Sequence, residues 1–111
     1  MRHFIFDLQL IDKSKYNDAV IFSDFLYLLG RLPITTLQTN KHFFEPHGLT
    51  AVALLAESHA SIHTWPESGL ICMDFFTCSK DKLVTPQEII SEIPWKHKII
   101  NMVVLYRGYP D

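Results

Sequence analysis

Between residues 57 and 78 the chain concentrates groups that move protons or attack carbonyls. The run Glu57-Ser58-His59-Ala60-Ser61-Ile62-His63-Thr64-Trp65-Pro66-Glu67 holds two imidazoles, three hydroxyls and two carboxylates, and Asp74 and Cys78 follow. A serine hydroxyl becomes a useful nucleophile when a group titrating near neutrality takes its proton, the ordinary role of histidine. Ser58, His63 and Asp74 suggest a hydrolase triad, but the Gly-x-Ser-x-Gly elbow that exposes such a serine is absent. His59 and His63, four apart, would offer two metal ligands on a helix. The small and β-branched residues around them favour a strand, no third ligand is evident, and no metal is expected. Taken singly, Ser58 and His47 read as turn residues, Cys72 and Cys78 as small hydrophobes, Phe44 as a core aromatic and Glu67 as a solvated acid.

These side chains need a framework, and the residue pattern supplies one. Residues 3–11 are aromatic and aliphatic and predict a first strand. Asn17 is a good N-cap, and Val20, Ile21, Phe25, Leu28 and Leu29 follow at helical spacing, predicting a helix over 17–30 that closes at Gly30. Pro33 breaks the pattern. Residues 34–43 predict a second strand, leading into the Glu45-Pro46-His47-Gly48 turn. Three further strands are expected at 50–56, 59–64 and 69–78, with Trp65 to Ser68 joining the last two. Thr85-Pro86-Gln87-Glu88 is a helix start, Thr85 capping and Pro86 at the first helical position, for a second helix reaching about Ile93. Residues 98–106 close the order as a last strand. It suits an α+β two-layer sandwich, an antiparallel sheet with both helices on one face, whose other face, if apolar, needs a second subunit.

The chain has 111 residues, enough for a single domain over 1–111 and no more. Hydrophobic residues make up 48% and charged residues 20%, a globular composition, and the net charge of -2 comes without a basic run for nucleic acid. No apolar stretch approaches the ~20 residues of a membrane-spanning helix, and the segment from Phe4 to Ile11 lacks the flanks of a signal peptide, so the cytoplasm is expected. Cys72 and Cys78, on one predicted strand, stand roughly 20 Å apart, too far for a disulfide.

The run from residue 57 resembles the self-cleavage site of prokaryotic S-adenosylmethionine decarboxylases. Their pattern of Glu-Ser-His, then Ile-His-Thr-Trp-Pro-Glu, then Asp-x-Phe-Thr-Cys stands here as Glu57-Ser58-His59, Ile62 to Glu67, and Asp74-Phe75-Phe76-Thr77-Cys78. The resemblance implies that the chain cuts itself between Glu57 and Ser58 into residues 1–57 and 58–111, Ser58 becoming a covalent pyruvoyl group. It implies that His63 is the processing histidine and that Thr50 stands where the family usually has an assisting serine, its extra methyl expected to slow the step. Cys78 matches the catalytic acid, and a thiol of ordinary pKa, ~8.5, stays protonated at neutral pH. Phe44 matches the adenine-stacking aromatic and Glu67 the acid holding the ribose hydroxyls, with Trp65 as a pocket wall.

The implied activity is decarboxylation of S-adenosylmethionine to the aminopropyl donor for spermidine, by a homodimer with active sites at the subunit interface. The family segment before the turn commonly reads His-Arg-Phe, whereas this chain has His42-Phe43-Phe44, and a positive charge is expected to be missing near the site. That difference motivates an alternative, a pyruvoyl-dependent decarboxylase of ornithine or arginine. A second alternative is a non-catalytic α+β binding module that stays whole.

Overall fold

The computed structural model describes residues 1–78 and 84–109. In chain order the elements are β1 (Arg2–Leu10), a 3-10 turn (Lys13–Lys15), α1 (Asp18–Arg31), β2 (Thr36–Phe43), β3 (Leu49–Leu55), β4 (Ser58–Trp65), β5 (Leu70–Thr77), α2 (Pro86–Ser91) and β6 (His97–Tyr106). The strands form a six-stranded sheet ordered β2-β3-β4-β5-β1-β6, antiparallel at every pairing. β2 to β5 run as a meander, and β1 is inserted between β5 and β6.

Strict alternation builds the sheet. Phe4, Phe6, Leu8 and Leu10 of β1, Leu49, Ala51, Ala53 and Leu55 of β3, Ala60 and Ile62 of β4, and Ile71, Met73 and Phe75 of β5 all point to one face and are buried there. Ile21, Phe25, Leu28 and Leu29 of α1 and Ile89 of α2 join the same core, so both helices cover that face, as the pattern predicted. Each buried Phe or Leu contributes about 1.5–3 kcal/mol over its exposed state. Both helices start where capping predicts: the Asn17 side chain accepts from the Val20 N–H, and the Thr85 side chain from the Glu88 N–H.

The helix ends differ from expectation. α1 runs through Gly30 and stops after Arg31, because Pro33 forces Leu32 out of helical geometry, to ψ 156°. α2 ends at Ser91, short of Ile93, and Asp12 caps an unforeseen 3-10 turn.

The other face is open. Its centre is polar, with His3 and Asp7 of β1, His59, Ser61 and His63 of β4, and Cys72 and Asp74 of β5. Its flanks are apolar, Val52 and Leu54 of β3 on one side and Val103 and Leu105 of β6 on the other, all well exposed.

Candidate active site

The β3–β4 connection is a two-residue turn, since Leu55 pairs with Ser58 across Ala56 and Glu57. Glu57 has φ 63°, alone among non-glycine residues described in adopting the left-handed region. That conformation costs roughly 1–2 kcal/mol for a residue with a Cβ. The Glu57–Ser58 bond therefore follows a strained residue in an exposed turn. Ser58 Oγ has one weak contact, donating to the Ala56 carbonyl at 3.5 Å. His59 pairs with Phe76, so Cys78, two residues past Phe76, lies toward this same end of the sheet. Cys72 and Cys78 are both free thiols.

The remaining expected residues gather at the opposite end of β4. Thr50 and His63 are cross-strand partners, with Thr50 Oγ1 3.2 Å from His63 Nδ1. The Trp65 ring lies 6.4 Å from His63, centroid to centroid, and is half-exposed. Phe44, also half-exposed, follows β2, its N–H donating to the Gly48 carbonyl at 2.9 Å, with the His42 ring 4.6 Å away. Glu67 Oε1 stands 3.6 Å from His47 Nε2, whose Nδ1 is buried with no partner among the described residues.

Buried hydrogen bonds brace this end. The Thr64 hydroxyl oxygen accepts from the Leu49 N–H at 2.9 Å and pairs with the Tyr16 hydroxyl at 2.6 Å, while Asp18 accepts from the Gly48 N–H at 2.9 Å. Burial, then the bond to Asp18, pushes the Tyr16 phenol well above its ordinary range. Lys13 Nζ donates to the Glu67 carbonyl at 3.0 Å, holding the β4–β5 turn against the 3-10 segment.

The expected residues thus form two half-sites, Glu57, Ser58 and Cys78 at one end and Phe44, Thr50, His63, Trp65 and Glu67 at the other. Five residues of strand separate Ser58 from His63 by ~16 Å. The triad of Ser58, His63 and Asp74 is not assembled.

Asp74 instead sits mid-face, where Oδ2 is 2.7 Å from His3 Nε2 and Oδ1 accepts from Ser61. Ser61 Oγ in turn lies 3.5 Å from His63 Nε2. His59 and His63, ~13 Å apart along the strand, cannot share an ion. His59 instead stacks on Phe76 and joins His3 and Asp74, the three presenting ligand atoms within 4.8 Å of one another. Beside this group Asn101 Nδ2 donates to Asp7 at 2.9 Å. Burial, and then a hydrogen bond with Asp7, pushes the Cys72 thiol up to about 11.

The family model for S-adenosylmethionine decarboxylase matches residues 2–104. The chain belongs to the S-adenosylmethionine decarboxylase family. It is 47% identical over 78 residues to the S-adenosylmethionine decarboxylase proenzyme of Synechococcus sp. (strain WH7803), covering 69% of this chain and 61% of that protein. It is 38% identical over 107 residues to the proenzyme of Methanococcus aeolicus, covering 91% of this chain and 90% of that protein. The crystal structure of the adenosylmethionine decarboxylase from Aquifex aeolicus VF5 superposes with a TM-score of 0.77 at 31% identity, covering 99% of this chain and 92% of that one. The chain spans 61–62% of the length of the Synechococcus and Prochlorococcus relatives it matches.

One departure from the S-adenosylmethionine decarboxylase family pattern needs correction. Phe43 faces the helix layer, edge-on to Phe22 of α1 at 6.3 Å, and Lys41 Nζ lies 5.7 Å from its ring. Phe44, on the opposite alternation, belongs to the candidate site. Phe43 therefore stands on the helix side of the sheet with Lys41 beside it, and not on the open face.

His3 and Ser61 were not singled out by the sequence reading, and Asp74 entered it through the triad and the family pattern, without a role of its own. Alternation alone places Ser61 on the face of His63, but the register that brings His3 to Asp74 has no local signal.

Proposed function

We propose that this chain is the proenzyme of a pyruvoyl-dependent S-adenosylmethionine decarboxylase, cleaved between Glu57 and Ser58 and working as a homodimer in the cytoplasm. Family membership across residues 2–104, with Ser58, His63 and Cys78 all present, carries the reading. The strained turn at Glu57 suits a bond that must be broken, and Cys78 at the same end suits a group formed from Ser58.

In processing, Ser58 Oγ adds to the Glu57 carbonyl carbon. The C–N bond breaks, the Ser58 nitrogen takes a proton, and the acyl group passes to oxygen as an ester. Loss of the Ser58 α-proton expels the Glu57 carboxylate and leaves dehydroalanine, which takes up one water and releases ammonia to give the pyruvoyl group. His63 is the base suited to these proton movements, with Thr50 beside it. The pyruvoyl group supplies an electron sink for the pair left when the substrate carboxylate departs as carbon dioxide. Cys78 Sγ gives a proton to the substrate α-carbon. Glu67 accepts hydrogen bonds from the ribose hydroxyls, and Phe44 stacks on adenine with Trp65 as a wall.

The two half-sites support the dimer. If two open faces stack about a two-fold axis near Ser61 and Asp74, the midpoint between Ser58 and His63, each Ser58 end meets His63 of the partner subunit. Sheets pack about 10 Å apart, close enough for side chains to meet between them. No helix among the described residues is long and apolar enough to cross a membrane.

An intact mass spectrum of reduced protein tests processing, and carbon dioxide release from S-adenosylmethionine tests the substrate. Fragments 1–57 and 58–111 are expected, the second lighter by one ammonia than a Ser-terminated peptide. A single uncleaved mass after long incubation, or processed protein that leaves S-adenosylmethionine untouched, would reject the reading.

A further inference from the structure

The open face carries a continuous row of polar contacts across four strands: His3 to Asp74, Asp74 to Ser61, Ser61 to His63 and His63 to Thr50. The proton inventory of that row determines how His63 is protonated. A carboxylate only accepts, so the Ser61 hydroxyl hydrogen goes to Asp74 Oδ1. With its one hydrogen spent, Ser61 Oγ faces His63 Nε2 as an acceptor. A neutral imidazole that uses both contacts therefore carries its hydrogen on Nε2. Nδ1 keeps its lone pair and accepts from the Thr50 hydroxyl at 3.2 Å. His3, at 2.7 Å from the other oxygen of Asp74, holds that carboxylate in place. Asp74 and His3 side chains are only 25% and 17% exposed, so the contact is partly shielded from water.

We propose that Ser61 and Asp74 are positioning residues that hold His63 in its Nε2–H form, leaving the Nδ1 lone pair as the base beside Thr50. This rests on the reading of His63 as the processing histidine. Asp74 acts through Ser61, whose hydroxyl donates to it. A histidine in the other form would present Nδ1–H where a proton must be accepted, and it would have to turn over before it could act.

The test uses full-length chain with labelled histidine nitrogens and Ser58→Ala, which keeps the chain whole. Nitrogen–proton correlation spectra at about pH 8, above the ordinary imidazole range near ~6.5, report which ring nitrogen carries the hydrogen. The signals vanishing in a His63→Gln chain identify His63. The Nε2–H form is expected in the parent and in Ser61→Thr, which retains the hydroxyl. Ser61→Ala should give a mixture of forms. Asp74→Asn should favour Nδ1–H, because the amide can donate to Ser61 and release its hydroxyl to donate to Nε2. In chains that retain Ser58, Ser61→Ala should slow self-cleavage roughly ten- to a hundredfold and Ser61→Thr should restore it. An unchanged Nε2–H fraction in both Ser61→Ala and Asp74→Asn would overturn the proposal. A His63→Ala chain that cleaves at the parent rate would instead overturn the role of His63, whatever the spectra report.

Discussion

Ser58 and His63 occupy one strand yet stand ~16 Å apart on opposite alternation phases, at the two ends of β4. No rotation of either side chain spans that distance within one chain. The proposed role of His63 in processing therefore calls for a second copy of the chain. Chains carrying only Ser58→Ala or only His63→Ala should each remain whole. When the two are unfolded together and refolded as mixed dimers, the His63→Ala chain should be cut and the Ser58→Ala chain should not. Mass spectrometry distinguishes the two chains, and an uncut mixture in which hetero-dimers are demonstrated would refute cleavage between subunits.

Glu57 holds a backbone conformation that glycine adopts freely. In the uncleavable Ser58→Ala background, Glu57→Gly should stabilise the fold by about 0.5–1 kcal/mol, the relieved strain less the entropy glycine loses on folding. Thermal unfolding should shift up by a few degrees. With Ser58 present, the relaxed turn should cleave about two- to fivefold more slowly, which gel time courses would reveal.

The thiols should separate by function. Cys78→Ala should leave cleavage intact and lower decarboxylation by roughly 10²–10⁴-fold. Cys72→Ser should change neither by more than a small factor, since Cys72 lies mid-face beside Asp7. Radiolabelled carbon dioxide release and a gel read both quantities on one preparation.

Cys72 also makes stability depend on pH in a defined window. Its folded pKa is pushed up from 9.0 to about 11, so the folded chain retains a proton that the unfolded chain releases. The contribution is complete below pH 9 and is lost as pH rises through 11. Tyr16, raised from 10.0, adds to the loss from about pH 10 upward. Denaturant midpoints taken across this window should fall less steeply for Cys72→Ser than for the parent.

Thr50 offers His63 a hydroxyl carried on a branched side chain. Thr50→Ser should cleave at least as fast as the parent, whereas Thr50→Val, which keeps the shape and loses the hydroxyl, should slow cleavage roughly tenfold or more. Equal rates for all three would remove the hydroxyl from the process.

Much of the fold was legible because its signals are local. Asn17 and Thr85 announce their helices through side chains that cap within three residues, and alternation in β1, β3 and β5 sorts buried from open positions one residue at a time. The end of α1 misled because Gly30 resembles a helix terminator while the effective stop is Pro33, acting on Leu32. The site was legible as a set of residues and illegible as an arrangement. His3 and Asp74 meet across 71 positions of sequence, by a register that no short segment encodes. The division into half-sites was available in principle, since extended chain between Ser58 and His63 already holds them ~16 Å apart.

The insertion of β1 between β5 and β6 determines what a cut after residue 57 does to the molecule. The first fragment would own β1, α1, β2 and β3, and the second β4, β5, α2 and β6. In the sheet these pieces are dovetailed, because β1 is gripped on both edges by strands of the other fragment while β3 and β4 remain paired. To part, the fragments must break three strand ladders and open the common core at once. A nicked molecule of this kind stays whole without its covalent link, and reassembly after denaturation becomes an encounter of two chains.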